Sequence, residues 1–437
     1  MTECIQSSFA FPACKSRKIE ADFQGGDITS DGGSLLLRQV DRRLKLTRTL
    51  ARHLNDPRVQ GRCDHSLEQL LRQRVYGLAL GYEDLNDHDE LRHDLGLQTA
   101  VDRDNVLASS PTLCRWENEA DRETARIVHE LFVEEFIESF KHPPEELILD
   151  FDATDDPVHG NQERRFFHGF YDRYCFLPLY VFCGSQLLAA YLRPSNIDGA
   201  KHAWAILSLL VKRLRQAWPE VKIIMRADSG FCRWRMLRWC DNHKVGYIIG
   251  IARNSRLNEA ASHLLDHARE QYEHTGQKQR LFGFIEYAAH TWDRPRRIIA
   301  KAEHSCRGSN PRYVVTNLEG APQELYDNGY CARGDMENRI KEQQLDMFAD
   351  RTSCSAWWPN QFRLLLSSLA YVLVEAIRRL ALKGTQWAHA QCGTIRLKLF
   401  KIGGIVLRNT RRIRFHLSSA YPYQSDFFLI AHRLAQE

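Results

Sequence analysis

Three acidic positions stand where phosphoryl chemistry would want them. Asp150 and Asp152 close an apolar run, Leu-Ile-Leu-Asp-Phe-Asp-Ala-Thr over 147–154, and Asp228 follows a second run in Arg226-Ala-Asp-Ser-Gly-Phe231. Glu337 lies in the stretch Tyr330-Cys-Ala-Arg-Gly-Asp-Met-Glu-Asn-Arg-Ile-Lys-Glu-Gln-Gln344. There Tyr330, Arg333, Glu337, Lys341 and Gln344 recur every three or four residues, which predicts one stripe of a helix. That stripe is polar where an ordinary amphipathic helix would be apolar. Asp150 and Asp152, two apart on a strand, share one face of a sheet. An aspartate just past the carboxyl end of a strand sits on the edge where α/β sheets bind ligands. Gly230 supplies the tight turn that leaves Asp228 exposed. Taken singly, each aspartate also reads as a helix cap or a solvated loop residue. Three carboxylates together can hold two Mg²⁺ ions, which keep waters and bind phosphate oxygens. Such a pair activates an attacking oxygen and stabilises the leaving one during in-line displacement at phosphorus.

The elements that must position these residues begin at Glu146. A buried-strand run over 147–151 is followed by a strand pair, 176–183 and 186–192, turned at Gly184-Ser185. A helix over about 200–218, a strand at 221–225, a helix at 234–243 and a strand at 247–252 complete the series. This order predicts an α/β core, a mixed sheet with helices on its faces. Residues 256–318 interrupt it with one helix and three strand-like runs (281–288, 297–302, 313–317), a small β-rich insertion. Helices resume at Tyr330 and near 360–383. The first 145 residues read as helical. Apolar residues at helical spacing run over 34–54 with a phase shift between Leu44 and Leu46, and Ser66 with Gln69 has capping-box spacing. Ser110-Pro111 opens a short helix with serine as the cap. That helix presents Thr112, Arg115 and Asn118 together, either as an ordinary surface or as a reader of a major groove.

Composition narrows the class. At roughly 100–200 residues per domain, 437 residues suggest two to four domains. The 43% hydrophobic and 26% charged content excludes disorder and fibrous repeats. The formal charge of +5 is mild, but ten Lys/Arg and no Asp or Glu fall between Ala376 and Ser425. The remainder therefore sums to −5 (5 less 10). Within the basic stretch, Arg411, Arg412 and Arg414 follow Leu397, Leu399, Phe400, Ile402, Ile405, Val406 and Leu407. That interleaving suits a structured polyanion surface contacting phosphates; solvated surface charge is the plainer reading. The twelve cysteines are scattered without a C-x-x-C pair, and the histidines show no ligand spacing. The apolar run Phe9–Cys14 is too short for a signal-peptide core, and Leu364–Val374 stops at Glu375, too short to span a bilayer. These features predict a soluble protein of a reducing compartment, with no membrane partner.

The motifs in order, Asp-x-Thr ending the first strand, Arg-x-Asp-Ser-Gly after the fourth and then Tyr-x2-Arg-x3-Glu, resemble those of the DDE transposases of bacterial insertion sequences. The match is to the branch with a ribonuclease H-like core and a β-rich insertion before the catalytic Glu. Within that branch the chain is similar to the insertion-sequence family numbered 1380. Asp152-Ala-Thr-Asp-Asp-Pro-Val-His-Gly160, Glu337-Asn-Arg-Ile-Lys-Glu342 and Ser419-Ala-Tyr-Pro-Tyr-Gln424 read like its motifs, and the resemblance covers 30 to the C-terminus. It implies cut-and-paste DNA transposition with Asp152, Asp228 and Glu337 as the metal-binding catalytic triad for two Mg²⁺ ions, Mn²⁺ being a substitute. Asp152 is preferred to Asp150 because it is the one followed by x-Thr; Asp150 is the alternative. Tyr330 and Arg333 match positions that hold DNA backbone near a displaced base. The family pattern places Lys seven residues after the Glu, where Gln344 stands here. Lys341 either reaches phosphate in its place or simply pairs with Glu337. Trp292, in His-Thr-Trp-Asp-Arg-Pro-Arg-Arg297, matches a tryptophan that stacks on a flipped base, or it is a core residue of the insertion.

The expected organisation is therefore a helical DNA-binding region (1–145) and a ribonuclease H-like core (146–255 and 319–383) split by the β-rich insertion (256–318). A basic C-terminal region for DNA and dimer contacts (384–437) completes it. Double-stranded DNA, as terminal inverted repeats and target, is the expected partner of a homodimer in the bacterial cytoplasm at the nucleoid. Two rivals stay open: a non-transposing nuclease on the same core, and a DNA-binding repressor whose catalytic site has decayed.

Overall fold

The structure is a computed structural model and describes residues 8–436. Cys4, counted among the scattered cysteines, lies outside the described residues. The chain divides into two compact units, Met1–Trp116 with Leu373–Glu437, and Glu117–Val372.

The second unit is built on one mixed sheet. Its strands are β1 (Glu146–Ala153), β2 (Leu179–Cys183), β3 (Gln186–Tyr191), β4 (Lys222–Ala227), β5 (Gly246–Ile251), β6 (Gln279–Tyr287), β7 (Arg296–Ser305) and β8 (Arg312–Thr316). Their spatial order is β6-β7-β8-β5-β4-β1-β2-β3, with the short strand Gly308–Ser309 paired to β7. β1, β4 and β5 run parallel, and the remaining neighbours are antiparallel. The parallel strands are buried on both faces, which is why they read as continuous apolar runs. Leu149, Phe151, Met225 and Ile249 share one core with Leu207, Leu214 and Leu237 from the helices Ala203–Ala217 and Trp234–Asn242. Ile224, Ile248, Ile299 and Val314 point the other way and pack against Tyr326. The strands of the 256–318 segment do not form a separate layer. They extend this sheet, beginning with β8 on β5, and so cover an edge that would otherwise expose unpaired backbone groups.

The helix Trp357–Ile377 anchors the far strands through Gln361, which accepts from the Leu192 N–H at 2.7 Å and donates to the Ala190 carbonyl at 3.0 Å. Tyr371 stacks edge-on against Phe182. Between β1 and β2 the chain forms a small sheet from Asp156–Pro157, Phe166–His168 and Arg173–Phe176, which the strand pair expected from 176 onward did not include.

In the other unit, helices Ser34–Leu44 and Leu46–His53 are separated at Lys45 (φ 58°), the physical origin of the phase shift in the apolar pattern. Ser66 and Gln69 make the expected capping box. Buried Asp41 ties these helices to Leu67–Leu80 by accepting from the Tyr76 hydroxyl at 2.7 Å and the Arg72 guanidinium at 3.3 Å. The all-helical reading of this region needs correction. Ser8–Cys14 and Arg17–Asp22 form a hairpin, and Ile28–Thr29 pairs with Gly404–Arg408 of the C-terminal hairpin. Ile28–Thr29 is two residues long and its partner lies more than 370 residues away in sequence, so no local periodicity reveals it.

Among the described residues no helix is long and apolar enough to cross a membrane. The described cysteines are all free.

Candidate active site

β1 and β4 run parallel in register, pairing Phe151 with Ala227. The next residue on each strand path is an aspartate, so Asp152, still paired with Tyr180 of β2, and Asp228, just past β4, stand side by side at the carboxyl ends of adjacent strands. Asp228 is held by its own turn, accepting from the Gly230 N–H at 2.9 Å at the start of the short helical turn Ser229–Phe231. Glu337 comes from the helix Gly334–Lys341. Arg333 joins the sets: its guanidinium donates to Asp152 Oδ2 at 3.4 Å and to Glu337 Oε1 at 2.5 Å. Burial pushes the Asp152 carboxyl up to about 6, and the charges of Asp228 and Glu337 add to the rise against the opposing pull of Arg333. The three carboxylates thus share one electrostatic neighbourhood.

Asp150 has a different task. It is 2% exposed and forms a two-pronged ion pair with Arg226, at 2.5 and 2.7 Å. Arg226 also donates to the Gly329 carbonyl at 2.7 Å. One buried pair therefore fastens β1, β4 and the segment entering the Arg333–Glu337 helix. Bidentate, charge-assisted contacts of this kind set geometry as well as energy. The sequence offered Asp150 as an alternative ligand because two residues on one strand share a face; the cross-strand arginine removes it from that role.

The stripe of Tyr330, Arg333, Glu337, Lys341 and Gln344 is not one regular helix. A π-turn over Leu325–Tyr330, a 3-10 turn over Cys331–Arg333, the α-helix and a second π-turn over Glu342–Asp346 follow one another. Gly329 and Gly334 punctuate the segment, and glycine is a poor helix former; such irregular turns recur at functional sites. Tyr330 is half-buried, its hydroxyl set against Gly250 of β5, where an added Cβ would lie 2.5 Å away. We expect Gly250→Ala to cost about 1–3 kcal/mol by overpacking. Thermal melts should show a smaller cost in a Tyr330→Ala background, because only the tight approach of the Ser229 backbone nitrogen, at 3.1 Å, then remains.

Lys341 is exposed and makes no ion pair among the described residues, since Glu337 pairs with Arg333 instead. The simple Glu337–Lys341 pair is therefore not what the structure holds. Gln344, at the family's lysine position, donates to the Asp155 carbonyl at 2.9 Å and braces the chain just past Asp152. Trp292 is partly buried against the core, edge-on to Tyr287 at 5.6 Å and under Arg296 at 5.8 Å. Arg115 is exposed on the helix Ser110–Asn118, which begins one residue before the expected proline. Ser110 is not its cap; it bonds to Asp89 instead. Arg411, Arg412 and Arg414 are exposed at the turn of the hairpin Gly404–Arg408/Ile413–Leu417, where Asn409 Oδ1 accepts from the backbone N–H groups of Arg411 and Arg412.

Two features escaped the sequence. Arg226 stood in a motif read only for its aspartate. Tyr171, between two strands of the small sheet, is pushed up to about 12 by burial, with the charges of Asp155, Asp152 and Asp228 adding; it therefore lies in the field of the site. The signal was the aromatic run Phe166-Phe-His-Gly-Phe-Tyr171 itself.

Comparison with known proteins gives the chain a family. The family model described as transposase DDE domain group 1 matches residues 11–437, and the chain belongs to that family. Among solved structures the chain is similar to a piggyBac transposase in a synaptic complex with hairpin DNA, at a TM-score of 0.42 and 11% identity. That similarity covers 85% of this chain and 79% of the other. Comparison with curated proteins finds no match.

DDE transposases generally use divalent metal ions. Among the described residues no three His, Cys, Asp or Glu side chains are close enough to share one ion in this conformation. The donor set nevertheless suits such a cation: three hard carboxylates, two of them already gripping the Arg333 guanidinium as a stand-in positive charge.

Proposed function

We propose that the protein is an insertion-sequence transposase that cuts DNA at the ends of its element and joins them to a target. The observation that carries this is the Arg333 bridge between Asp152 and Glu337, with Asp228 at the adjacent strand end, in a chain of the DDE family. Strand order supports a ribonuclease H-like core, because β3-β2-β1-β4-β5 places the antiparallel pair beside parallel β1, β4 and β5. The quoted motifs favour the insertion-sequence family numbered 1380.

In this reading Asp152, Asp228 and Glu337 hold the divalent cations, Mg²⁺ or Mn²⁺. Bound cations would activate the attacking oxygen, first of water and then of the freed 3′-hydroxyl, and stabilise the leaving oxygen. The chain's own residues do the positioning. Arg226 and Asp150 set the spacing between the two aspartates and the glutamate helix. Tyr330, Arg333 and Lys341 meet the DNA backbone. Trp292 lies in the 256–318 segment, where a displaced base would stack on it only if its packing on Tyr287 opened. The helical region to 145, with Arg115, would read the terminal inverted repeats, and the basic region after 384 would hold phosphates. A homodimer on double-stranded DNA, working at the bacterial nucleoid, would pair the two ends.

The test uses labelled duplexes carrying the DNA that flanks the gene, with Mg²⁺ and a target plasmid. End cleavage followed by joining supports the transposase. Cleavage without joining favours a nuclease on the same core, and cation-independent binding with neither product favours a repressor. The phosphate role of Arg411, Arg412 and Arg414 predicts a separate result. Changing all three to Gln should lower the slope of log affinity against log salt by roughly 3 if each meets one phosphate, and fluorescence anisotropy at several salt concentrations measures it.

A further inference from the structure

We propose that Arg333 changes partners during the reaction, so that the site takes up its divalent cations only after DNA is seated. In the structure Arg333 bridges Asp152 and Glu337, two of the three proposed ligands, and this bridge is assigned to the protein before DNA arrives. Bound DNA then draws the guanidinium onto a backbone phosphate. The inference rests on the DDE reading of the site and adds an order of binding to it.

Several observations carry it. The side chains of Arg333 and Asp152 are only 18% and 17% exposed, so their contact is sheltered from water rather than a loose surface pair. Glu337, at 46%, is the open side of the bridge. Asp228 makes no ion pair among the described residues; its carboxylate accepts from the turn N–H of Gly230. The positive charge in the site is thus placed on two ligands and leaves the third for a later arrival. A guanidinium is planar, permanently charged and matches carboxylate and phosphate alike, so it can pass from one to the other without changing protonation. Lys341, one turn beyond Glu337 and exposed, gives an incoming phosphate a second cation on the same stripe. While the bridge is closed, a cation must compete with Arg333 for both carboxylates. Its apparent affinity is therefore the intrinsic affinity multiplied by the fraction of molecules in which the bridge is open.

The test is Mn²⁺ binding to the full chain, followed by the electron paramagnetic resonance signal of free Mn²⁺. It is run with and without a pre-cut duplex ending in a 3′-deoxy nucleotide, which cannot be joined. Wild type should bind Mn²⁺ about tenfold or more tightly with DNA than without, within the usual range of coupling between sites. Arg333→Ala should bind Mn²⁺ in the absence of DNA about as tightly as wild type does in its presence. Arg333→Lys, which can grip one carboxylate at a time, should fall between them. A purely structural arginine would give the opposite sign, with Arg333→Ala losing affinity. Unchanged or weaker DNA-free binding in Arg333→Ala, with circular dichroism intact, overturns the proposal while leaving the carboxylate site standing. Absence of Mn²⁺ binding in every protein, with DNA present, would instead overturn the DDE reading beneath it.

Discussion

Replacing Glu337 or Asp152 with the matching amide should abolish DNA cleavage, and Asp152→Asn should leave the protein at least as stable as wild type. Several kcal/mol of transition-state stabilisation rest on cations held by these carboxylates, which at tenfold per 1.36 kcal/mol is a loss of about a thousandfold or more. Stability moves the other way because the site is electrostatically costly. Burial and the charges of Asp228 and Glu337 raise the Asp152 carboxyl to about 6, from about 3.9 in an unfolded chain. A carboxyl raised on folding contributes stability that is complete below its unfolded value and is lost as pH rises through the folded one. At pH 7 to 8 the ionised Asp152 therefore destabilises the fold, on the order of 2–3 kcal/mol. Asp152→Asn should melt higher than wild type in cation-free buffer above pH 6, and the gain should vanish near pH 4. Cleavage rates on labelled duplexes and calorimetric melts at those pH values check both halves. A dead but destabilised variant at pH 8 would argue that Asp152 is a structural residue.

Arg226→Ala should be the most destabilising single change at the site. It strips the partner from Asp150, which is 2% exposed, and releases the Gly329 carbonyl. Leaving a buried charge uncompensated costs about 3–5 kcal/mol, whereas replacing both members of a buried pair by apolar residues of similar volume is often neutral. Urea unfolding should show that loss in Arg226→Ala and recover most of it in Asp150→Leu/Arg226→Met. Cleavage should stay low in the double variant, because the polar tie from β4 to Gly329, which fixes the angle of the Arg333–Glu337 helix, is then gone. Recovery of activity along with stability would mean that the pair is structural only.

The strands bearing the aspartates were legible because each is a short apolar run ended by an acidic residue, the pattern of a buried parallel strand whose tip reaches solvent. The capping box at Ser66 and the helix break near Leu44 were legible for a similar reason, since capping and phase are local. What depends on pairing was not. Asp150 and Asp152 have the same parity on β1, and only the register that sets Asp150 opposite Arg226 separates a structural carboxylate from a candidate ligand. The strands over 279–316 were found as strands, but their attachment to β5 involves residues distant in sequence. The stripe from Tyr330 to Gln344 assumed one helical period, while π and 3-10 turns around two glycines change the angle of each side chain. Arg333 consequently faces inward to carboxylates, where the motif alone suggested only DNA.

Whether one site performs both cutting and joining is tested most directly with pre-cut duplex ends and a supercoiled target plasmid. The ends carry either a 3′-hydroxyl or a 3′-deoxy terminus, and are incubated with wild type or Asp152→Asn. The present account predicts joined products from wild type with the 3′-hydroxyl end alone, and none from Asp152→Asn. Failure of wild type to join a 3′-hydroxyl end that it has itself been shown to generate by cleavage would contradict it.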